Sequence, residues 1–346
     1  AYYEKGVELG SAYSMVELAT MYQEGLGIEP DAQKAVELLL QGVQQDYPHA
    51  YYLLGRCYKH AEGVEEDPDR AIECFRKAAD AGHSRGQAEL AYCYENGYGV
   101  EEDMKQAYDY MLKSAEQEFP FAQYRIGYYH MYGIEQVPQD YTKAVEWLTK
   151  AGEAGHPGAL IELGDYYLYD YADLEQQEKA YPYYVQAAKQ GSVNEGLGYC
   201  LFYGVGVEEN EPEAFTYFLK GAEDGSIRAM YFTGRCYYWG NGIKQNHGEA
   251  FRWFSQAAEY EHTSAMYYKG KMLVAGEGCT QQIEEGVSLV KAAAEGGDAY
   301  AQYELGNYYL LGRGVEENED MAMEWFEQAA DSGHEQAMKI TGRKRG

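Results

Sequence analysis

One pattern recurs along this chain about every 36 residues, and a fixed period of that length is met by a stack of helical hairpins. Set on the small residue of a leucine-glycine-like pair, the anchors are Ala19, Gly55, Ala91, Gly127, Gly164, Gly198, Gly234, Gly270, Gly306 and Gly342. Their intervals are 36, 36, 36, 37, 34, 36, 36, 36 and 36 residues. Three residues after the anchor stands a tyrosine at Tyr22, Tyr58, Tyr94, Tyr167, Tyr237 and Tyr309, with His130, Leu201 and Leu273 as departures. Sixteen after it stands Ala35, Ala71, Ala107, Ala180, Ala214, Ala250 or Ala322; Ala144 comes one residue late and Gly286 replaces the alanine once.

Small residues recur where helices must approach closely, and large apolar residues fall at three- and four-residue steps, so each unit reads as two antiparallel helices. The glycines of Gly25-Leu26-Gly27, Gly97-Tyr98-Gly99, Gly204-Val205-Gly206, Gly240-Asn241-Gly242 and Gly312-Arg313-Gly314 supply the positive φ that ends the first helix. Asp31, Asp67, Asp103, Asp140, Asn210, Asn246 and Asn318 stand where a side-chain oxygen caps the second helix. Histidines after the next glycine, as in Gly82-His83, Gly155-His156 and Gly333-His334, lie in turns and are expected to cap or pack.

The chain reads as one domain over residues 1–346, with the end of a preceding repeat at 1–10, nine repeats at about 11–336, and the start of a tenth repeat or a cap at 337–346. This has the look of a segment of a longer protein. No apolar run is long enough for a membrane span. Cys57, Cys93, Cys200 and Cys236 share one slot, two residues after the anchor. Equivalent slots of stacked repeats are on the order of 9 to 10 Å apart, beyond the roughly 7 Å reach of a disulfide. Those four are expected as free thiols in the core, and with Cys74 and Cys279 also lacking a partner, a reducing, cytoplasmic compartment is expected.

Leu54-Gly55, Tyr58, Gly63-Val64, Asp67, Ala71, Ala78-Ala79 and Gly82-His83 together resemble a Sel-1-like repeat, a relative of the tetratricopeptide repeat. Trp325, Ala329-Ala330 and Gly333 match its second-helix half. The resemblance spans essentially the whole chain and implies an all-α, right-handed α/α solenoid superhelix of about nine hairpins. It also implies a non-catalytic adaptor; proteins of this family act in bacterial secretion, host contact, envelope biology and membrane-protein degradation. Repeat five departs from the pattern: Leu168-Tyr169-Asp170-Tyr171-Ala172-Asp173-Leu174 has no Gly-x-Gly turn, so a local change in curvature is expected near residues 164–198.

No phosphate loop, zinc-protease helix or nucleophile elbow is present, and no cofactor or metal is expected. The acidic pairs Glu65-Glu66, Glu101-Glu102, Glu208-Glu209 and Glu316-Glu317 recur at one loop slot and read as solvated edge. A lactamase-like subgroup of the family has paired cysteines that this chain lacks. With 28 Lys and Arg against 57 Asp and Glu, the chain carries a net charge of -29 and should repel nucleic acid. A self-associating structural solenoid is the alternative to an adaptor.

In the family's usual geometry the first helix lines a concave groove through residues six and three before the anchor and one, four and five after it. Those slots hold Arg56, Lys59, Arg85, Arg228, Arg235 and Lys271 against Glu24, Glu95, Asp165 and Glu195, which would make the groove the least acidic face. They also hold many of the 38 tyrosines. The densest cluster is Tyr199, Phe202, Tyr203, Arg228, Tyr231, Arg235, Tyr238, Trp239, Tyr267 and Lys271, with a secondary cluster of Tyr52, Arg56, Arg85, Tyr92, Tyr124 and Tyr128. Rings and guanidinium groups are favoured at binding hot spots, so the expected ligand is a protein or extended peptide, its carboxylate held by Arg228 and Arg235.

Overall fold

The computed structural model describes residues 2–170, 174–192 and 194–343. It is an all-α solenoid of helical hairpins whose contacts fall into two compact units, Ala1–Leu163 and Gly164–Gly346. The first unit begins with Tyr2–Glu8. Four hairpins follow: Ala12–Glu24 with Ala32–Val43, Pro48–His60 with Pro68–Asp80, Ser84–Asn96 with Met104–Glu116, and Pro120–Tyr132 with Tyr141–Glu153. In the second unit the regular pairs are Glu195–Tyr203 with Glu211–Glu223, Ile227–Trp239 with His247–Glu259, Thr263–Ala275 with Ile283–Glu295, and Ala299–Leu311 with Glu319–Asp331. Helix Glu335–Thr341 follows them.

The anchor is a socket. A methyl added at Gly55, Gly198, Gly234 or Gly306 would sit 2.7 to 2.9 Å from the ring of Phe75, Phe218, Phe254 or Phe326 respectively. Each ring lies 20 residues after its anchor, on the second helix of the same hairpin, and Tyr184 meets Gly164 in the same way. Where the anchor is Ala19 or Ala91, the residue 20 further on is the aliphatic Leu39 or Met111. At Gly127 and Gly270 the plug is instead aliphatic, Leu148 and Val290, so a glycine socket closes on either a ring or a branched side chain at close packing.

The helix ends obey the capping chemistry expected of them. Asp31, Asp67, Asp103, Asp140, Asn210, Asn246 and Asn318 each accept from the backbone N–H three residues on. Gly25, Gly97, Gly204, Gly240 and Gly312 adopt left-handed φ of 60 to 81° at the first helix's C-terminus. The turn histidines are caps: Nδ1 of His83, His156, His262 and His334 accepts from the backbone at 3.0 to 3.3 Å. Of the tyrosines three after the anchor, Tyr94 packs within its own hairpin against Tyr110 at 6.1 Å and Tyr237 packs on the preceding hairpin against Phe215 at 5.3 Å.

Cys57, Cys74, Cys93, Cys200 and Cys236 are buried, and burial pushes their thiols up to about 11 for Cys57 and about 12 for the others. Cys279 is half-buried in a turn and donates to the Met272 carbonyl. In the irregular repeat, lacking the glycine that would end the helix, Pro157–Asp165 runs on into a π-turn, Tyr166–Asp170, and a 3₁₀ segment, Leu174–Lys179, precedes Ala180–Lys189. Residues 171–173 and 193 lie outside the described residues, and with them the segment on which the expected change of curvature depends.

Within each unit, first helices of successive repeats meet directly: Ala12–Glu24 touches Pro48–His60, which touches Ser84–Asn96, and Thr263–Ala275 touches Ala299–Leu311. Side chains from adjacent repeats therefore converge on the first-helix face.

Two outcomes follow from sockets and caps. Gly234→Ala should lower the stability of the folded chain by about 1 to 3 kcal/mol through overpacking against Phe254, and adding Phe254→Leu should recover part of that loss. Paired denaturant titrations measure both. Burial holds His83 at about 4, below its ordinary value, and its cap requires the unprotonated ring. The unfolded chain then takes up this proton first as pH falls, so the contribution of His83 is complete above pH about 6.5 and is lost toward about 4. In His83→Asn, which keeps a cap, the fall in denaturation midpoint over that window should be smaller than in the parent.

Candidate functional site on the first-helix face

The expected cluster comes together in the second unit, with its members in different roles. Tyr238 and Tyr267 are buried at 6% relative exposure, whereas Tyr203 and Trp239 are exposed at 41% and 56%. Tyr238 packs on His247 at 5.1 Å and donates to Glu277 at 3.0 Å, supporting the face from beneath. Tyr199 packs on Tyr203 at 4.5 Å and Phe202 on Tyr203 at 4.9 Å, making a continuous aromatic ridge. Tyr231 stacks on the capping His262 at 4.7 Å, so the cap of the next repeat also orients a ring of the site.

The two arginines differ in their electrostatic surroundings. Arg228 lies over the Tyr169 ring at 4.3 Å, and Glu195 and Asp165 of the same face act on its charge. Arg235 lies 5.6 to 5.8 Å from the rings of Phe202, Tyr231 and Phe232, and its Nη1 donates to the Tyr203 hydroxyl at 2.7 Å. Its Nε is buried without a hydrogen-bond partner. Burial pulls the Arg235 guanidinium down, and the Tyr231 and Tyr203 hydroxyls more than offset this, holding it above its ordinary value. Among the described residues no carboxylate forms an ion pair with Arg235.

Lys271 lies over Tyr267 at 5.8 Å beside a cavity of about 550 Å³ lined with Tyr300, Tyr303 and His334, with Glu304 on its wall. In the first unit, Arg56 is influenced by Tyr52, Glu62 and Glu89, and Lys59 pairs with Glu89 at 2.9 Å. Tyr124 stacks on His156 at 4.5 Å, and Tyr128 packs on Tyr132 at 4.6 Å.

Counting charge from five slots overlooked a sixth. The position two before the anchor also reaches this face, placing Glu89 against Lys59, Arg125 against Glu95, Glu162 under the Tyr132 hydroxyl at 2.8 Å, and Glu304 near Lys271. Three of these four are acidic, so the face is not net basic. What distinguishes it is which cations are left over. Both residues of the Lys59–Glu89 and Arg125–Glu95 pairs recur at the helical period, and reading that slot alongside the others would have revealed them.

Fold and face together define a helical-repeat scaffold of the kind that binds other proteins. The Sel1 repeat matches residues 12–47, 48–83, 84–119, 120–156, 157–192, 195–226, 227–259, 263–298 and 299–334, and the chain belongs to the Sel1 repeat family, kin to the tetratricopeptide-like helical repeats. A protective antigen present in uropathogenic Escherichia coli strains, with an SLR fold, is 24% identical at a TM-score of 0.72, covering 100% of this chain and 83% of its own. A Sel1 repeat protein from Oxalobacter formigenes is 28% identical at a TM-score of 0.55, covering 88% of this chain and 90% of its own. No curated protein sequence matches the chain. Its role is the general one of such solenoids, protein–protein interaction, and the fold is characteristically non-catalytic. Among the described residues no group of three or more His, Cys, Asp and Glu side chains could hold a metal, and no helix is long and apolar enough to cross a membrane.

The contrast between arginines has a measurable consequence. Arg235→Met, which refills the ring cage with a flexible thioether, should change unfolding free energy by less than about 1 kcal/mol. Arg125→Met, which removes the cation paired with Glu95 and leaves that carboxylate only the Tyr129 hydroxyl, should cost about 1 to 3 kcal/mol. Equal losses in the two variants would mean that Arg235 is a structural residue.

Proposed function

We propose that the first-helix face binds an extended segment of a partner protein and that Arg235 takes a carboxylate from that segment, an acidic side chain or a chain terminus. The observation that carries this reading is a largely desolvated guanidinium without an acidic partner in a chain with 57 carboxylate side chains and only 28 Lys and Arg. An isolated buried charge is costly, and a ligand carboxylate would offset that cost through charge-assisted hydrogen bonds. Arg228 is less suited to the task, because Glu195 and Asp165 already answer its charge. Tyr199, Phe202, Tyr203, Tyr231 and Trp239 add contact area that loses little side-chain entropy on binding.

A reducing, cytoplasmic setting is part of the same proposal, supported by six cysteines that are all unpaired.

Affinity capture from native lysate with the intact chain, beside a folded Tyr231→Ala, Arg235→Ala, Trp239→Ala variant, tests the reading. Partners of the intact chain should be lost from the variant. For a captured partner, Arg235→Ala alone should weaken binding by about 1 to 3 kcal/mol in calorimetry; unchanged affinity would refute the role of Arg235.

A further inference from the structure

A second unpaired cation stands in the first unit, at the mouth of a cavity. The cavity, about 440 Å³, is formed by Tyr52, Lys59, Arg85, Tyr92, Phe119 and Phe121, with Ala88 and Glu89. This volume falls in the range of small-ligand pockets. Tyr52 and Ala88 are buried, while Tyr92 and Phe121 remain 43% and 39% exposed. Lys59 is committed to Glu89 at 2.9 Å and to the Tyr92 ring at 4.1 Å. Arg85 leans over Phe119 at 5.8 Å, is exposed, and forms no ion pair among the described residues.

The local sequence departs from the repeat beside this cavity. Where other repeats begin their first helix with a capping His83, His156, Ser226, His262, Asp298 or His334, this one has Phe119-Pro120-Phe121, and Phe119 makes no side-chain cap bond. Tyr47 shares that loss, and both Tyr47 and Phe119 pack on the core. A missing cap ordinarily costs about 1 kcal/mol. Here the residue that replaces it packs on the core and also walls the cavity, and its neighbour Phe121, packed on Phe119 and His156, keeps part of its ring exposed at the same cavity.

We propose that this cavity takes a large apolar side chain, aromatic by preference, from a partner polypeptide in which an adjacent residue is Asp or Glu. The apolar side chain fills the ring-walled space and the carboxylate pairs with Arg85. The charge argument selects this occupant: the cavity's one carboxylate is neutralised by Lys59, so the cation left at its mouth is Arg85. The inference rests on the groove reading for the kind of partner but uses none of the residues around Arg235, so the two can fail separately.

The test titrates the isotope-labelled intact chain with acetyl-Asp-Phe-Asp-amide, followed by amide chemical shifts. Saturable shifts are expected at Ala88, Tyr92 and Phe121. Acetyl-Lys-Phe-Lys-amide should bind at least roughly tenfold more weakly, as should the Asp peptide to Arg85→Glu and to Phe121→Ala, the loss of one charge-assisted contact or one apolar wall. Arg235→Ala should leave these shifts unchanged. Equal affinity for the two peptides, an unaffected Arg85→Glu variant, or no saturable shift at these residues would overturn the proposal. Shifts confined to the surroundings of Arg235 would overturn it while supporting the groove reading. Shifts that follow protein concentration instead of peptide would place a second copy in the cavity and overturn it too.

Discussion

The structure depends on a large side chain of the second helix, most often a ring, pressing on the small residue that anchors the first. Phe75, Phe218, Phe254 and Phe326 press on glycines 20 residues before them, and a single methyl added there would come within 2.9 Å of a ring. The contact fixes how closely the two helices of a hairpin approach. That distance sets where the next first helix lies, and so which side chains of adjacent repeats meet on the shared face. In a repeat array each unit contacts only its neighbours, so the same local fit, renewed at every period, takes the place of one central core.

Much of this was legible in the sequence because it is periodic. The capping Asp and Asn residues, the left-handed glycines and the turn histidines occupy their expected places and make the expected bonds. Other features were obscured by the way the sequence was read. The plug at the twentieth position was missed because large apolar residues at several helical positions look alike until the one opposite the glycine is known. The π-turn at Tyr166–Asp170 replaces a motif and so has no pattern of its own.

The site was legible in membership and illegible in pairing. Tyr199, Tyr203, Arg228, Tyr231 and Arg235 do share a face, yet Arg228 and Arg235 are not equivalent. One has carboxylates within its field and the other has phenols. Such a distinction turns on a few ångströms between repeats, which spacing along the chain does not determine. Glu89 and Arg125, two residues before their anchors, likewise turn cations and carboxylates counted as available into pairs already made. Among the described residues Arg235 and Arg85 form no ion pair in a strongly acidic chain, and in the proposed reading each is answered by a carboxylate of the partner.

Placement of the partner is the most direct test. A benzophenone amino acid put in turn at Tyr203, on the first-helix face, and at Tyr260, at the end of a second helix and 63% exposed, would crosslink whatever protein the chain captures. Crosslinks from position 203 to a segment containing an acidic side chain or a C-terminus, with none from 260, are the expected result. Crosslinks from 260 alone would mean that the binding surface lies on the other helices and that the unpaired guanidinium groups serve another purpose.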